Sequence, residues 1–280
     1  MLTASQVSGF FLPVPADPHL NVAGTWVGTV VLGVLAIVSS AWLVTLSVKR
    51  RDPIPAMLVI AGVLAFCGEW LGDIAYNIYY HSDGPVVIYS LFQRHVPLWI
   101  LFLWVFYVPT SAFIASRLIT KRAQISTLVA FAVGAGVAEV SAEVVMNQFG
   151  SITYYGNYAK VLGIPVTSIV QNGFMYLALG VLIVRLAPRL KGWRCLLLPP
   201  AVVLGGGAFF LVAIPNYLVI GNGDFPGVIV WSVAIALSGA EIALAIWAVA
   251  RHYRNNPLPS DDSEPVRPLE VASSLPAERI

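Results

Sequence analysis

The sequence predicts an all-α, polytopic integral membrane protein, a bundle of about seven transmembrane helices with its N-terminus outside and its C-terminus in the cytoplasm. Three observations predict it. Only 11% of the 280 residues are charged and 58% are hydrophobic, whereas a soluble domain carries about 25% charged residues. The apolar residues form blocks of about twenty or more, the length that crosses a bilayer. The basic residues gather at alternate ends of these blocks, as cytoplasmic loops require.

The apolar blocks predict seven spans in order. They cover Trp26–Val48, Pro53–Tyr80, Pro97–Ile119, Ile125–Gln148, Ile164–Leu186, Leu196–Ile220 and Val228–Ala250. Residues 1–25 contain no Lys or Arg, so we interpret the first block as a retained helix and not as a signal peptide. The predicted organisation is an extracytoplasmic segment (1–25), a transmembrane domain (26–254) and a disordered cytoplasmic tail (255–280) rich in Pro, Ser, Asp and Glu.

The distribution of basic residues sets the orientation. Fourteen of the 16 Lys and Arg lie on one side of the bundle. They lie after spans 1 and 3, around the turn between spans 5 and 6, and at or beyond the end of span 7. The two exceptions are Arg94 and Lys160. The side that carries the fourteen is predicted to be cytoplasmic. We expect Arg94 and its neighbour His95 at the surface, and we see no convincing internal repeat of the kind that marks many transporters.

Composition also argues against several classes of function. The net charge is only +2 and no basic patch is present, so we expect no nucleic-acid binding. Cys67 and Cys195 are isolated, so they are expected to be packing residues. All four lysines lie outside the spans, so no retinal Schiff base is expected. Neither a metal-ligand spacing nor a cofactor motif is apparent, and we expect no metal and no cofactor.

The informative residues are the acids within the spans. Five of the fourteen Asp and Glu lie there: Glu69, Asp73, Glu139, Glu143 and Glu241. A charged side chain at the bilayer centre costs about 2.5 kcal/mol or more, so each requires a reason. Four-residue spacing places the members of each stripe on one helix face. The stripes are Glu69, Asp73 and Asn77 with Tyr76 on span 2, and Glu139, Glu143 and Asn147 on span 4.

Other spans carry polar residues at a similar depth. Gln171 and Asn172 lie near the outer end of span 5, Asn216 near the outer end of span 6, and Glu241 near the middle of span 7. We therefore predict a polar cavity in the outer half of the bundle. The four acids of spans 2 and 4 are its candidate catalytic residues. The candidate substrate-binding residues are Tyr76, Asn77, Asn147, Gln171, Asn172, Asn216 and Glu241.

Two chemical readings of the paired acids compete. Without a cation in the helix interiors, neighbouring buried carboxyl groups discourage each other's ionisation, so one acid of each pair is expected to keep its proton and could serve as an acid beside a base. Alternatively, neutral acids simply hold helices together through hydrogen bonds. Gly205, Gly206 and Gly207 in span 6 are expected to allow close helix approach.

Three segments resemble the AveC-like spirocyclases, the membrane enzymes that form the spiroketal of avermectin-type polyketides. They are LAFCGEWLGDIAYNIYYH (64–81), VGAGVAEVSAEVVMNQFGSITYYGN (133–157) and GIPVTSIVQNGFMYLALG (163–180). The resemblance covers roughly residues 55–190. It implies a cyclase acting on a hydrophobic natural-product-like molecule, with Glu69, Asp73, Glu139 and Glu143 at the family's polar positions.

Three functional hypotheses follow. The first is a membrane-embedded cyclase that forms a spiroketal by acid–base catalysis, with a membrane terpene cyclase as a close variant. The second is a proton-coupled transporter of a small hydrophobic solute that uses the same acids. The third is a membrane partner or receptor without catalysis. The first two take a hydrophobic small molecule, and all three place the chain in the cell membrane as a multi-pass protein.

Overall fold

A computed structural model describes residues 12, 13, 15, 19–92 and 94–257 of the chain. Within these residues, six helices are long and apolar enough to cross a membrane, and a bent helix pair provides a seventh candidate. The prediction of a polytopic all-α bundle is therefore confirmed. Most of the predicted N-terminal segment, residue 93 and the predicted tail beyond residue 257 lie outside the described residues.

The helices agree with the predicted spans to within a few residues, apart from spans 2 and 6. Span 1 is Val22–Arg50, span 2a Ile54–Cys67, span 2b Glu69–Ala75, span 3 Leu98–Thr120, span 4 Ile125–Gln148, span 5 Val166–Leu186 and span 7 Gly227–Asn255; span 6 comprises the α-helix Leu198–Phe210, the 3₁₀ turn Leu211–Ala213 and the π-helix Pro215–Ile220. Two further 3₁₀ helices, Ala187–Arg189 and Gly192–Leu197, connect spans 5 and 6.

The outer surface of the bundle is apolar. Large side chains such as Val27, Ile37 and Val228 are 62%, 68% and 74% exposed, although each lies inside a long helix. An apolar face of this extent requires an apolar solvent. The helices therefore present these side chains to the lipid of a bilayer.

Span 2 is not the continuous helix that the sequence predicted. Its two halves meet at Gly68 with a bend of 47°, and Asn77, two residues after the end of span 2b, has a left-handed conformation (φ 53°). Glycine is a poor helix former, and the Gly68 amide bonds the carbonyl of Ala65, three residues earlier, at 3.0 Å. The bend tilts the segment that carries Glu69 and Asp73 relative to the first half of the span.

Span 6 also departs from a regular helix. Pro215 has no amide hydrogen, so it cannot continue an α-helical hydrogen-bond ladder. The following residues form a π-helix, whose end is marked by the Gly221 amide bonding the carbonyl of Asn216 at 2.8 Å. Wider turns of this kind are frequent at functional sites.

Short strands form a cap over one end of the bundle, opposite the basic side. The strands are β1 (Ile78–Tyr80), β2 (Val87–Leu91), β3 (Arg94–Pro97), β4 (Ile152–Tyr154), β5 (Lys160–Val161) and β6 (Ile164–Pro165). They pair antiparallel as β1 with β4, β2 with β3, and β5 with β6. The distribution of basic residues predicts that this cap lies on the extracytoplasmic side.

Spans 4 and 5 cross at a pair of glycines. A Cβ atom on Gly136 would lie 2.9 Å from the carbonyl oxygen of Ile169, and one on Gly173 would lie 2.4 Å from that of Ala132. Such contacts are closer than real Cβ atoms make, so only glycine permits this crossing. The crossing lies one helical turn from Glu139 and fixes the distance between spans 4 and 5 at the acid level.

Gly173→Leu is therefore expected to lower the free energy of unfolding by about 3 kcal/mol, near the upper end of overpacking penalties. Gly134→Leu is the matched control, since a Cβ atom there would meet nothing within 4 Å. Thermal unfolding of the detergent-solubilised variants measures the difference. Equal melting temperatures for the two leucine variants would show that the crossing is not tight.

Candidate functional site: a buried cavity lined by carboxyl groups

A cavity of about 720 Å³ lies beneath the cap, between spans 2b, 3, 4, 5 and 6. Its wall is mostly apolar, with the carboxyl groups of Glu69, Glu139 and Glu143 and the carboxamides of Gln171 and Asn172 facing it. Six tyrosines add to the polar lining: Tyr76, Tyr80, Tyr107, Tyr154, Tyr176 and Tyr217. The volume falls in the range of small-molecule sites, roughly 300–1,000 Å³.

Glu69 is held by two hydrogen bonds from different elements. The Tyr80 hydroxyl on β1 donates to Oε1 at 2.5 Å, and the Trp104 indole on span 3 donates to Oε2 at 2.7 Å. Because an indole N–H only donates, Oε2 must act as an acceptor. Glu69 is 8% exposed, so these two donors fix its carboxyl group at the edge of the cavity.

Glu139 and Glu143 form the second acidic group, one helical turn apart on span 4. The Tyr154 hydroxyl on β4 donates to Glu143 Oε1 at 2.8 Å. Oε2 of each glutamate is buried and has no hydrogen-bond partner among the described residues. These two oxygens therefore have hydrogen-bonding capacity that the described residues do not use.

The three carboxyl groups form one electrostatic group. Glu139 and Glu143 interact through their side chains, and Glu69 acts on both across the cavity. Of the described residues that line the cavity, none is basic. Like charges at short distance in a medium of low dielectric constant repel strongly, so protons held by this group would offset the repulsion.

The two acidic groups belong to similarly built units. Glu69 precedes its partner Tyr80 by 11 residues, and Glu143 precedes its partner Tyr154 by 11. In the β1–β4 pair, Ile78 lies opposite Tyr154 and Tyr80 lies opposite Ile152. This register relates the two strands, and with them the residues Tyr80 and Tyr154, by a local two-fold rotation.

The cap supports this arrangement. The Lys160 ammonium donates to the carbonyl oxygen of Tyr154 at 2.6 Å, and burial lowers the pKa of Lys160. Each unit continues through a β-hairpin to a proline with an extended backbone, Pro97 or Pro165. These prolines are the N-caps of spans 3 and 5, which lead back toward the basic side. The hydroxyls of Tyr80 and Tyr154 are thus placed by strand pairing and not by the helices.

Asp73 does not line the cavity, although it lies on the same short helix as Glu69. Its side chain is 0% exposed and neither carboxylate oxygen has a hydrogen-bond partner among the described residues. It interacts electrostatically with Glu69 and, to a smaller extent, with Arg94 of β3. Arg94 is 4% exposed and donates to the Tyr155 hydroxyl at 2.5 Å. The expected surface position of Arg94 is therefore wrong.

Arg94→Met is expected to lower the free energy of unfolding by about 3 kcal/mol, because it removes a buried guanidinium that donates to the Tyr155 hydroxyl and interacts electrostatically with buried Asp73. Thermal unfolding in detergent measures the loss, with exposed Arg50 replaced by Met as the control. The double variant Asp73→Asn/Arg94→Met should recover part of it. If Arg94→Met melts like Arg50→Met, Arg94 does not neutralise Asp73.

The remaining predicted binding residues occupy different places. Asn77 donates to the Tyr158 hydroxyl at 2.6 Å and to Asn222 at 3.1 Å, which ties span 2b to the cap. Asn147 donates to the Ile152 carbonyl at 2.9 Å and so shapes the turn before β4. Neither lines the cavity.

The outer ends of spans 5 and 6 are joined by a hydrogen-bond network. Asn216 donates to Thr167 at 3.0 Å, Thr167 to Tyr217 at 3.1 Å, and Tyr217 to Gln171 at 3.3 Å. Gln171 and Tyr217 reach the cavity and Asn216 does not. Glu241 is fully buried behind the wall, near Tyr76 and Tyr217, with both oxygens unpartnered among the described residues.

Comparisons with protein families, with curated proteins and with solved structures each found no match. Among the described residues, no group of three or more His, Cys, Asp and Glu is arranged to hold a metal ion. The function must therefore be argued from the geometry of the cavity.

Proposed function

We propose that this chain is a membrane-embedded cyclase that uses acid–base catalysis on a hydrophobic, natural-product-like molecule. One observation carries the proposal: carboxyl groups from two separate spans face one aromatic-rich cavity that no basic side chain of the described residues lines. A carboxylic acid beside a carboxylate supplies both a proton donor and a proton acceptor. The resemblance of residues 55–190 to AveC-like spirocyclases supports the same class of reaction.

Spiroketal formation is the specific reaction that we propose. The acid protonates the ketone oxygen while a carboxylate takes the proton of an attacking hydroxyl, which gives a hemiketal. The acid then protonates the hemiketal hydroxyl, water leaves, and a second hydroxyl adds to the same carbon and returns its proton. Two C–O bonds form, one water is lost, and the carboxyl groups end with the protons they began with.

We assign the proton transfers to Glu139 and Glu143, with Glu69 on the facing wall. The Oε2 atoms of the span 4 pair have no partner among the described residues, and a small rotation of either side chain toward the cavity would let a substrate hydroxyl supply one. Glu69 is already positioned by Tyr80 and Trp104, and preorganised groups of this kind suit the stabilisation of developing charge. In this proposal Asp73 acts from behind Glu69 as a positioning residue.

A membrane terpene cyclase is the second candidate, and the aromatic lining favours it. Six tyrosines and Trp104 surround the acids, and the faces of aromatic rings attract cations. Protonation of an alkene or epoxide by a carboxylic acid would generate a carbocation in this cavity. Loss of a proton to a carboxylate would end the reaction with no net change in composition.

Product analysis separates the two reactions. The protein in lipid nanodiscs is incubated with a long-chain dihydroxyketone and, separately, with a linear polyprenyl epoxide, followed by mass spectrometry. Loss of one water from the first probe supports the spirocyclase, and an isomer of the second supports the terpene cyclase. No product from either probe, together with proton-gradient-driven uptake of a probe into liposomes, would replace the cyclase with a transporter.

The orientation and location are part of the same proposal. We place the cap outside and the basic side in the cytoplasm of a cell membrane, since Lys and Arg are enriched in cytoplasmic loops. A reporter that is active only in the cytoplasm, fused to the C-terminus, should then give signal. A silent reporter would invert the topology.

A further inference from the structure

The cavity opens on the lipid-facing side of the bundle. Three leucines both line it and are largely exposed: Leu71 on span 2b (59%), Leu204 on span 6 (72%) and Leu211 on span 6 (65%). Gly207 lies between the two span 6 leucines, is exposed, and also lines the cavity. The opening thus lies between spans 2b and 6, and its rim is apolar.

The cap closes the cavity on the side of the water. Tyr80 and Tyr154, on the paired strands β1 and β4, are 2% and 5% exposed, and Tyr217 is 1% exposed. The ring of Tyr217 packs against those of Tyr76 and Tyr158, with centroids 4.3 and 5.6 Å away. An aqueous solute would have to displace these rings, whereas a lipid-dissolved molecule meets an opening.

We infer that the cavity takes its ligand sideways from the bilayer, through the opening between spans 2b and 6. The ligand is then an amphiphile that dissolves in the membrane, with an apolar body and a few hydroxyl or carbonyl groups that reach the carboxyl groups. The identity of the ligand as a substrate rests on the proposed function. Lateral entry adds to that function that the substrate comes from the lipid and not from the water.

The three glycines of span 6 differ in what surrounds them, and Gly207 is the one that borders the opening. A Cβ atom on Gly205 would lie 2.7 Å from a methyl carbon of Leu182, and one on Gly206 would lie 3.2 Å from the Met175 sulfur. One on Gly207 would meet nothing within 4 Å. The expected close approach therefore holds for Gly205, whereas Gly207 faces open space, where a large side chain would fill the opening without a clash.

A thiol introduced into the cavity reports the route of entry independently of catalysis. Cys67 and Cys195 are replaced by Ala, and Ser168→Cys, a near-isosteric change in the cavity wall, is introduced. The protein in liposomes is treated with a lipophilic N-alkyl maleimide or with a charged, membrane-impermeant thiosulfonate. The alkyl maleimide should label the introduced thiol rapidly, and the charged reagent, supplied from the cap side, should not.

The plugging variant tests the opening itself. Gly207→Trp should slow labelling by the alkyl maleimide by about tenfold, since an indole fills the space and packed interiors admit no second molecule. Gly239→Trp is the matched control, because Gly239 is also an exposed glycine within a span and meets nothing within 4 Å. Labelling that Gly207→Trp leaves unchanged, or equally fast labelling by the charged reagent, would overturn lateral entry. Lateral labelling without any cyclised product would instead reject the proposed function alone.

Discussion

Glu143→Gln is expected to reduce turnover by about 10³-fold, within the range that a positioned general acid or base contributes. Glutamine keeps an oxygen that can accept the Tyr154 hydroxyl, which Glu143 now holds at 2.8 Å, so the cap should stay in place. The amide cannot give or take a proton, so the loss should fall on the chemical step and not on substrate binding. Single-turnover kinetics in nanodiscs measures it.

The control for this variant is Asp83→Asn. Asp83 lies exposed in the cap, so its replacement removes one negative charge on the same side of the molecule without touching the cavity. It should turn over like the original protein. A Glu143→Gln protein that melts normally and retains full turnover would remove Glu143 from the mechanism.

Glu69→Gln is expected to reduce turnover by about 10²-fold or more, and the double variant Glu69→Gln/Glu143→Gln should lose little beyond the worse single variant. Groups that act in one step give strongly non-additive losses. Glutamine at position 69 can accept from the Trp104 indole through its oxygen and donate to the Tyr80 hydroxyl, so both hydrogen bonds of Glu69 have replacements.

Trp104→Phe separates positioning from proton transfer. It removes the donor to Glu69 Oε2 and keeps an aromatic ring, so we expect a smaller loss of turnover than in Glu69→Gln, with a shifted pH profile. If the losses in Glu69→Gln and Glu143→Gln multiply in the double variant, the two acids act in independent steps and the shared-cavity mechanism is wrong.

The sequence predicted the spans because their signal is long. Span 4 runs from Ile125 to Gln148 in both the sequence pattern and the structure, because a predominantly apolar block of 24 residues is long enough to fix both ends of a helix. The stripe of Glu139 and Glu143 followed from helical periodicity alone, and both residues line the cavity. Asp73 shows the limit of periodicity, because a shared helix face does not decide which residue reaches the cavity after a bend.

The features that the sequence did not predict depend on short or distant interactions. β1 and β4 have three residues each, too few for an alternating pattern to stand out, so the sequence pattern does not single out Tyr154. The recurrence of Glu followed by Tyr at 11 residues was the available signal. Arg94 lies outside the apolar blocks. Nothing in the neighbouring sequence distinguishes a buried arginine there from one at the surface.

The proximity of Glu69 and Glu143 across one cavity is most directly tested by cross-linking. In a background without Cys67 and Cys195, Glu69→Cys and Glu143→Cys are combined and treated with a short, membrane-permeant bismaleimide, and joined peptides are identified by mass spectrometry. The control pairs Glu69→Cys with Val137→Cys, whose position on span 4 is 55% exposed and outside the cavity. We predict an intramolecular cross-link for the first pair and none for the control. No cross-link for the first pair, in a protein whose two cysteines each react with a monofunctional maleimide, would contradict a shared cavity.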